Sequence, residues 1–213
     1  MIRILKSIGI AFVGALAMGV LGASAAKAVP SFTCSAYPCA ATGDTVYQTE
    51  VFTTEAGKIQ CTGHFESHSM GSASSTITLT PTYLYCSAFG FSASMNTEDC
   101  SYVLHATEQS TLTAWLSHLD ISCPEKESIK ISAMSGACKA EIKAQHSLTT
   151  VRLENAAGAL VVRPEVRNLT YTVTADGFGC PFSGTGAKTG GAYTSNGVNI
   201  TRDFGGTISA SGS

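Results

Sequence analysis

Thr76-Ile77-Thr78-Leu79-Thr80 alternates hydroxyl and aliphatic side chains without a break. Successive side chains of an extended strand point to opposite faces, so this run sets Ile77 and Leu79 on one face and three threonines on the other, the pattern of a half-buried strand. The same period of two recurs in Ile129-Lys130-Ile131-Ser132-Ala133 and in Lys139-Ala140-Glu141-Ile142-Lys143. It returns where Leu169, Tyr171, Val173 and Ala175 alternate with Asn168, Thr170, Thr172 and Thr174. Asp176-Gly177 then supplies a turn, and Asn196-Gly197 sits between Tyr193-Thr194 and Val198-Asn199-Ile200, where both turn positions accept positive φ and a hairpin is expected. Short strands punctuated by turn residues about every ten positions indicate an all-β chain. The expected fold is a mostly antiparallel β-sandwich, built as one large or two small tandem sandwich-like units and reinforced by disulfides.

One window reads otherwise. Leu112, Trp115, Leu116 and Leu119 follow Ser110-Thr111 at helical spacing with a capping residue in place. The β-rich surroundings favour a strand from about Trp115 to Cys123, with a helix over 110–119 as the alternative. Trp115, the only tryptophan, is expected in the core rather than as an exposed platform for stacking sugars. The glycine-rich stretch from Gly177 to Gly191 is expected to be irregular.

Charge is scarce. Lys and Arg number 13 and Asp and Glu 15 among 213 residues, 13% of the chain, against about 25% in an average globular protein. With no basic run, the chain offers no electrostatic footprint for nucleic acid. Residues 1–28 read as a secretory signal peptide: Arg3 and Lys6 precede an apolar stretch from Ile8 to Ala23, and Ala26-Lys27-Ala28 fits the cleavage rule, as does Ala23-Ser24-Ala25. Cleavage after Ala28 removes three positive charges and leaves a net charge of −5. No second apolar segment of about 18 residues follows, so no membrane partner is expected after cleavage. The expected organisation is a signal peptide (1–28), an N-terminal segment (29–43) and a β-sandwich module (44–213). A subdivision near residue 124 is the alternative, where Cys123-Pro124-Glu125-Lys126-Glu127 clusters charge around a proline.

All eight cysteines, Cys34, Cys39, Cys61, Cys86, Cys100, Cys123, Cys138 and Cys180, follow the signal peptide. An even number in an exported chain reads as four disulfides, and the absence of any C-x-x-C pair argues against zinc. Cys61 and Cys86 flank a hairpin with its turn at residues 70–74. Cys100 and Cys123 bracket a second, in which residues whose numbers sum to 223 face each other. Cys34 then pairs with Cys39 and, by exclusion, Cys138 with Cys180.

The run Cys86-Ser87-Ala88-Phe89-Gly90-Phe91, with Met95-Asn96 and Cys100-Ser101-Tyr102 after it, resembles a pattern of uncharacterised secreted β-rich proteins of actinobacteria. Cys123-Pro124, Cys138 leading a strand, and Gln145 extend the likeness over roughly residues 58 to 210, while Asn96-Thr97-Glu98-Asp99 departs from the usual Asn-Gly before the next cysteine. The resemblance implies export, a β-fold and paired cysteines. It implies no activity.

Two constellations carry candidate chemistry. His64, Glu66 and His68 alternate with Phe65 and Ser67, so a strand projects all three from one face as a two-histidine, one-carboxylate metal set; an ordinary solvated face is the simpler reading. The 223 register sets His105 opposite His118 and Val103 opposite Asp120, giving a His-His-Asp group on the face away from Cys100 and Cys123. No nucleophile can be set beside it from sequence. Gly-x-Ser-x-Gly and His-Glu-x-x-His are absent, and Gly184-Thr185-Gly186-Ala187-Lys188-Thr189 lacks the glycine a phosphate loop needs before its lysine. The expectation is a secreted, extracellular structural or binding protein that needs no cofactor. Its Ser/Thr- and Gly-rich surfaces would meet carbohydrate, cell-wall polymer or another protein. A secreted hydrolase or metal-binding enzyme using the histidines is the alternative, and a protease inhibitor a third reading.

Overall fold

A computed structural model describes residues 30–45, 49–71, 73–111, 113–175, 178–203 and 206–212. The signal peptide, the side chain of His68, Leu112 and the Asp176-Gly177 turn lie outside the described residues. Sixteen strands form among them. The first half of the chain gives β1 (Pro30–Cys34), β2 (Cys39–Asp44), β3 (Glu50–Thr54), β4 (Gly57–Met70), β5 (Ala73–Ser74), β6 (Thr76–Ala88), β7 (Phe91–Asn96) and β8 (Ser101–Gln109). The second gives β9 (Ala114–Ser122), β10 (Ile129–Ala133), β11 (Cys138–Ile142), β12 (Gln145–Ala156), β13 (Ala159–Ala175), β14 (Gly186–Ser195), β15 (Val198–Arg202) and β16 (Ile208–Gly212).

The antiparallel β-sandwich class holds, and the pairing shows that its main sheet closes on itself. Strands β4, β6 and β13 run long. The others lie end to end in pairs: β2 and β3 both along β4, β7 and β8 along β6, and β11 with β12 and β14 with β15 along β13. Between them β9 joins β8 to β12, and β10 joins β7 to β11. Because β14 also pairs with β3 and β15 with β2, the eight positions form a ring without a free edge. Strands from both sides of Pro124 pair with each other.

The breaks between collinear strands form a seam around this ring. Pro124, which has no N–H to give a ladder, lies in the break between β9 and β10. Across the seam, side chains replace missing backbone partners. The Gly63 N–H donates to Thr45 Oγ1 at 2.7 Å. The Gln145 amide meets both backbone groups of Thr170, its Nε2 donating to the carbonyl at 2.9 Å and its Oε1 accepting from the N–H at 2.8 Å. Disulfides Cys61–Cys86 and Cys100–Cys123 cross neighbouring strands there, and Cys34–Cys39 and Cys138–Cys180 complete the four expected bridges. The 223 register is observed: Ser101 faces Ser122, Val103 faces Asp120 and His105 faces His118.

Inward positions are mostly apolar, with Phe52, Phe65, Leu104, Trp115, Leu153 and Ile200 all buried. Outward positions carry Thr, Ser, Lys and Glu, the inverse of a barrel facing lipid. No helix among the described residues is long and apolar enough to cross a membrane. Among the described residues a cavity of about 20 Å³ lies inside, beside Phe65, Tyr102 and Tyr193, room for about one water. Eight-stranded rings either fill their interior or hold a ligand in it, and this one is filled. A smaller sheet, β16-β1-β5, covers one end, with Phe32, Ile208 and Ala210 buried and the Asn155 amide donating to the Ala210 carbonyl at 2.7 Å.

Three local expectations resolve. The window around Trp115 is strand β9, with Trp115 buried. The glycine-rich stretch is irregular only to Thr185, since β14 starts at Gly186. Asn196-Gly197 makes no hairpin: β14 and β15 follow one another along β13, and the pair register slips by one residue between Thr194–Glu165 and Val198–Val162. The long β13 offers a continuous template, so the Asn-Gly preference is spent on a bulge. Glycine suits position 197 because its φ of 132° is one that side chains rarely adopt.

Candidate functional site

The first histidine constellation lies on the outer face of β4. His64 Nδ1 is 2.6 Å from Asp44 Oδ1, its cross-strand partner on β2, and His64 Nε2 is 3.3 Å from Glu66 Oε1. The Asp44 hydrogen bond raises the imidazole pKa above its ordinary value, burial opposes it, and Glu66 adds to the rise. Both ring nitrogens are thus engaged by carboxylates. Among the described residues no group of three His, Cys, Asp or Glu side chains is placed to hold a metal.

The second constellation gains a member that sequence reasoning missed. His105 Nε2 lies 3.1 Å and His146 Nδ1 3.4 Å from the same oxygen of Asp120, while the Ser147 N–H donates to the other at 2.7 Å. Burial alone would raise the Asp120 carboxyl, but the Ser147 N–H, His146 and His105 together hold it below its usual range. His146 enters because β12 slips register between Gln145 and Leu148, and Ser147 takes a positive φ of 55°. An Asp-His pair can orient a base. Yet His146 is 73% exposed, and neither imidazole on Asp120 is hydrogen-bonded to a serine, threonine or cysteine among the described residues.

Concavity lies elsewhere. A groove of about 640 Å³ follows the outer face of the β13–β14 ladder. Gly190, Gly191 and Ala192 form its low floor on one side; Glu165, Arg167 and Asn168 wall it from β13, and Thr194, Ser195 and Asn196 close the end. The floor is low because the ladder buckles. Register slips between Arg167 and Leu169, Asn168 takes a φ of 59°, and a Cβ at Gly191 would meet the Leu169 carbonyl oxygen at 3.0 Å. The wall is rich in amide, hydroxyl and guanidinium groups, one acid balancing one base. The only advance sign was the pair Gly190-Gly191 within a strand, which marks a close backbone approach.

Beneath the groove's end sits Glu50, a carboxylate with no exposure to solvent. It starts β3 opposite Ser195, on the same inward face as Phe52. The Tyr193 hydroxyl donates to Glu50 Oε2, and Tyr83 and Tyr102 share a hydroxyl hydrogen bond of 2.8 Å nearby. Glu50 Oε1 is buried and finds no hydrogen-bond partner among the described residues. Burial pushes the carboxyl up to about 7, against the downward pull of the Ser195 and Tyr193 hydroxyls. Sequence reading missed it, and the signal available was a glutamate sharing period two with a phenylalanine.

No protein-family model, curated protein or solved structure matches the chain.

Proposed function

We propose that this is a secreted binding protein whose outer groove along β13 and β14 takes an uncharged, hydroxyl-rich chain such as a cell-wall or extracellular polysaccharide. The observation that carries this reading is the groove itself, about 640 Å³ of concave surface lined by side-chain amides, hydroxyls and glycine backbone. Such a lining offers paired donors and acceptors on a rigid ladder, which suits sugar hydroxyls, and it brings no net charge that would select a strongly ionic ligand. The filled interior supports an external site over an enclosed one. Four disulfides suit an oxidising, extracellular setting. The half-buried His105 and the exposed His146 on Asp120, with no hydroxyl nucleophile bonded to them among the described residues, favour binding over hydrolysis. Retention of the purified protein on a polysaccharide array, lost in Thr194→Trp, tests the reading; equal retention of wild type and variant would refute it.

A further inference from the structure

We propose that Glu50 is a proton-operated latch under the groove, coupling residues 195–197, which form the groove's end wall, to the charge of a carboxyl in the core. The inference rests on the groove being the binding surface, and it concerns the regulation of that surface.

Three geometric facts carry it. Ser195 is the direct cross-strand partner of Glu50, so both side chains leave the β3–β14 ladder on its inward face, while Ser195 also borders the groove. The segment it begins falls in the break between β14 and β15, where the β13 ladder slips, and is tied by the Gly197 N–H donating to Ser195 Oγ at 3.2 Å and by Arg163 on the Asn196 carbonyl. Finally, Glu50 Oε1 is buried without a partner among the described residues.

An uncharged carboxyl tolerates that position, where its contacts are the Tyr193 and Ser195 hydroxyls. Loss of the proton to solvent leaves a buried anion with one oxygen bare, and a bare buried charge recruits the nearest donor or water. The nearest donor on its own ladder rung is the Ser195 hydroxyl. That hydroxyl already faces inward beside Glu50, so ionisation tightens the contact; because its oxygen also accepts from the Gly197 N–H, the tightening draws on residues 195–197 at the groove's end.

Among the described residues no neighbouring charge competes for this role. The ionisable groups facing Glu50 are phenols: Tyr193 from β14, Tyr83 from β6 and Tyr102 from β8, all kept neutral because burial pushes them up. From β4 it meets Gly63, whose place a larger residue could not take, since a Cβ would come within 2.9 Å of Glu50 Cγ. Arg163 approaches residues 195–197 from β13, bonding the Asn196 carbonyl, and is paired with Glu154.

The test is a pH titration of the isotopically labelled protein by NMR between pH 5 and 8.5, without ligand. The latch predicts that the Glu50 side-chain carboxyl carbon and the amides of Thr194, Ser195, Asn196 and Gly197 titrate with one midpoint near 7. In Glu50→Gln the amides stay flat. In Ser195→Ala, Glu50 still titrates but the amides cease to follow it. Flat amides in the wild type, or a titration that persists in Glu50→Gln, overturns the latch. This readout needs no ligand, so a protein that binds no polysaccharide but shows the common midpoint refutes the binding reading while retaining the latch.

Discussion

Replacing Glu50 by glutamine keeps the side chain's shape and its acceptor for Tyr193 while removing the proton equilibrium. The folded carboxyl titrates at about 7 against an ordinary 4.5. Below 4.5 it is protonated in both folded and unfolded chains, and its contribution is fully present. Between 4.5 and 7 the unfolded chain releases the proton and the folded chain keeps it, so stability falls as pH rises. Above 7 both forms are ionised and the loss levels off. The gap corresponds to about 3 kcal/mol in full, of which about 2.5 kcal/mol falls between pH 5 and pH 8. His64 adds a loss of the same sign as pH rises through its raised pKa, because the Asp44 hydrogen bond favours its charged form. That loss is common to both proteins and cancels in their difference. Urea denaturation followed by circular dichroism at pH 5 and pH 8 should therefore show wild type losing about 2 to 3 kcal/mol more than Glu50→Gln. Parallel losses in the two proteins would refute the burial argument.

Three further outcomes follow from the seam and the histidine face. Gln145→Ala removes the amide that completes the ladder at Thr170 and should cost about 1 to 2 kcal/mol in urea denaturation. An unchanged midpoint would mean water replaces the amide without loss. Breaking Cys61–Cys86 by double serine substitution opens a loop spanning 25 residues, which should destabilise the fold by about 3 kcal/mol in a thermal melt. Asp120→Asn weakens the acceptor for the Ser147 N–H, and amide hydrogen exchange at Ser147 should accelerate, with exchange in β13 unchanged as the control.

What could be read in advance was whatever a strand encodes locally. Period two reports which face of Thr76–Thr80 or Leu169–Val173 is buried, because the pleat alternates side chains regardless of partner. The 223 register was legible because two cysteines had to come within bonding reach of neighbouring strands. Ring closure was not legible: β14 and β15 meet β3 and β2 across more than half the chain, and nothing near Glu50 or Tyr193 names so distant a partner. Asn196-Gly197 misled because a local turn preference yields to the long β13 template. The groove and His146 both arise from slips in register, at Asn168 and Ser147, and a strand pattern carries no mark of the residue at which it slips. Glu50 was missed, although it shares period two with Phe52, and its tie to Ser195 needed the ladder.

The central claim is that the β13–β14 groove is where this protein meets its ligand. Titrating the labelled protein at pH 6 with a soluble oligosaccharide from any polymer retained on the array, and following every backbone amide, tests it most directly. The account predicts saturable shifts concentrated at Arg167, Asn168, Gly190, Gly191 and Thr194, with His105, His118 and His146 unmoved. Shifts centred on the histidine face, with the groove amides still, would contradict it.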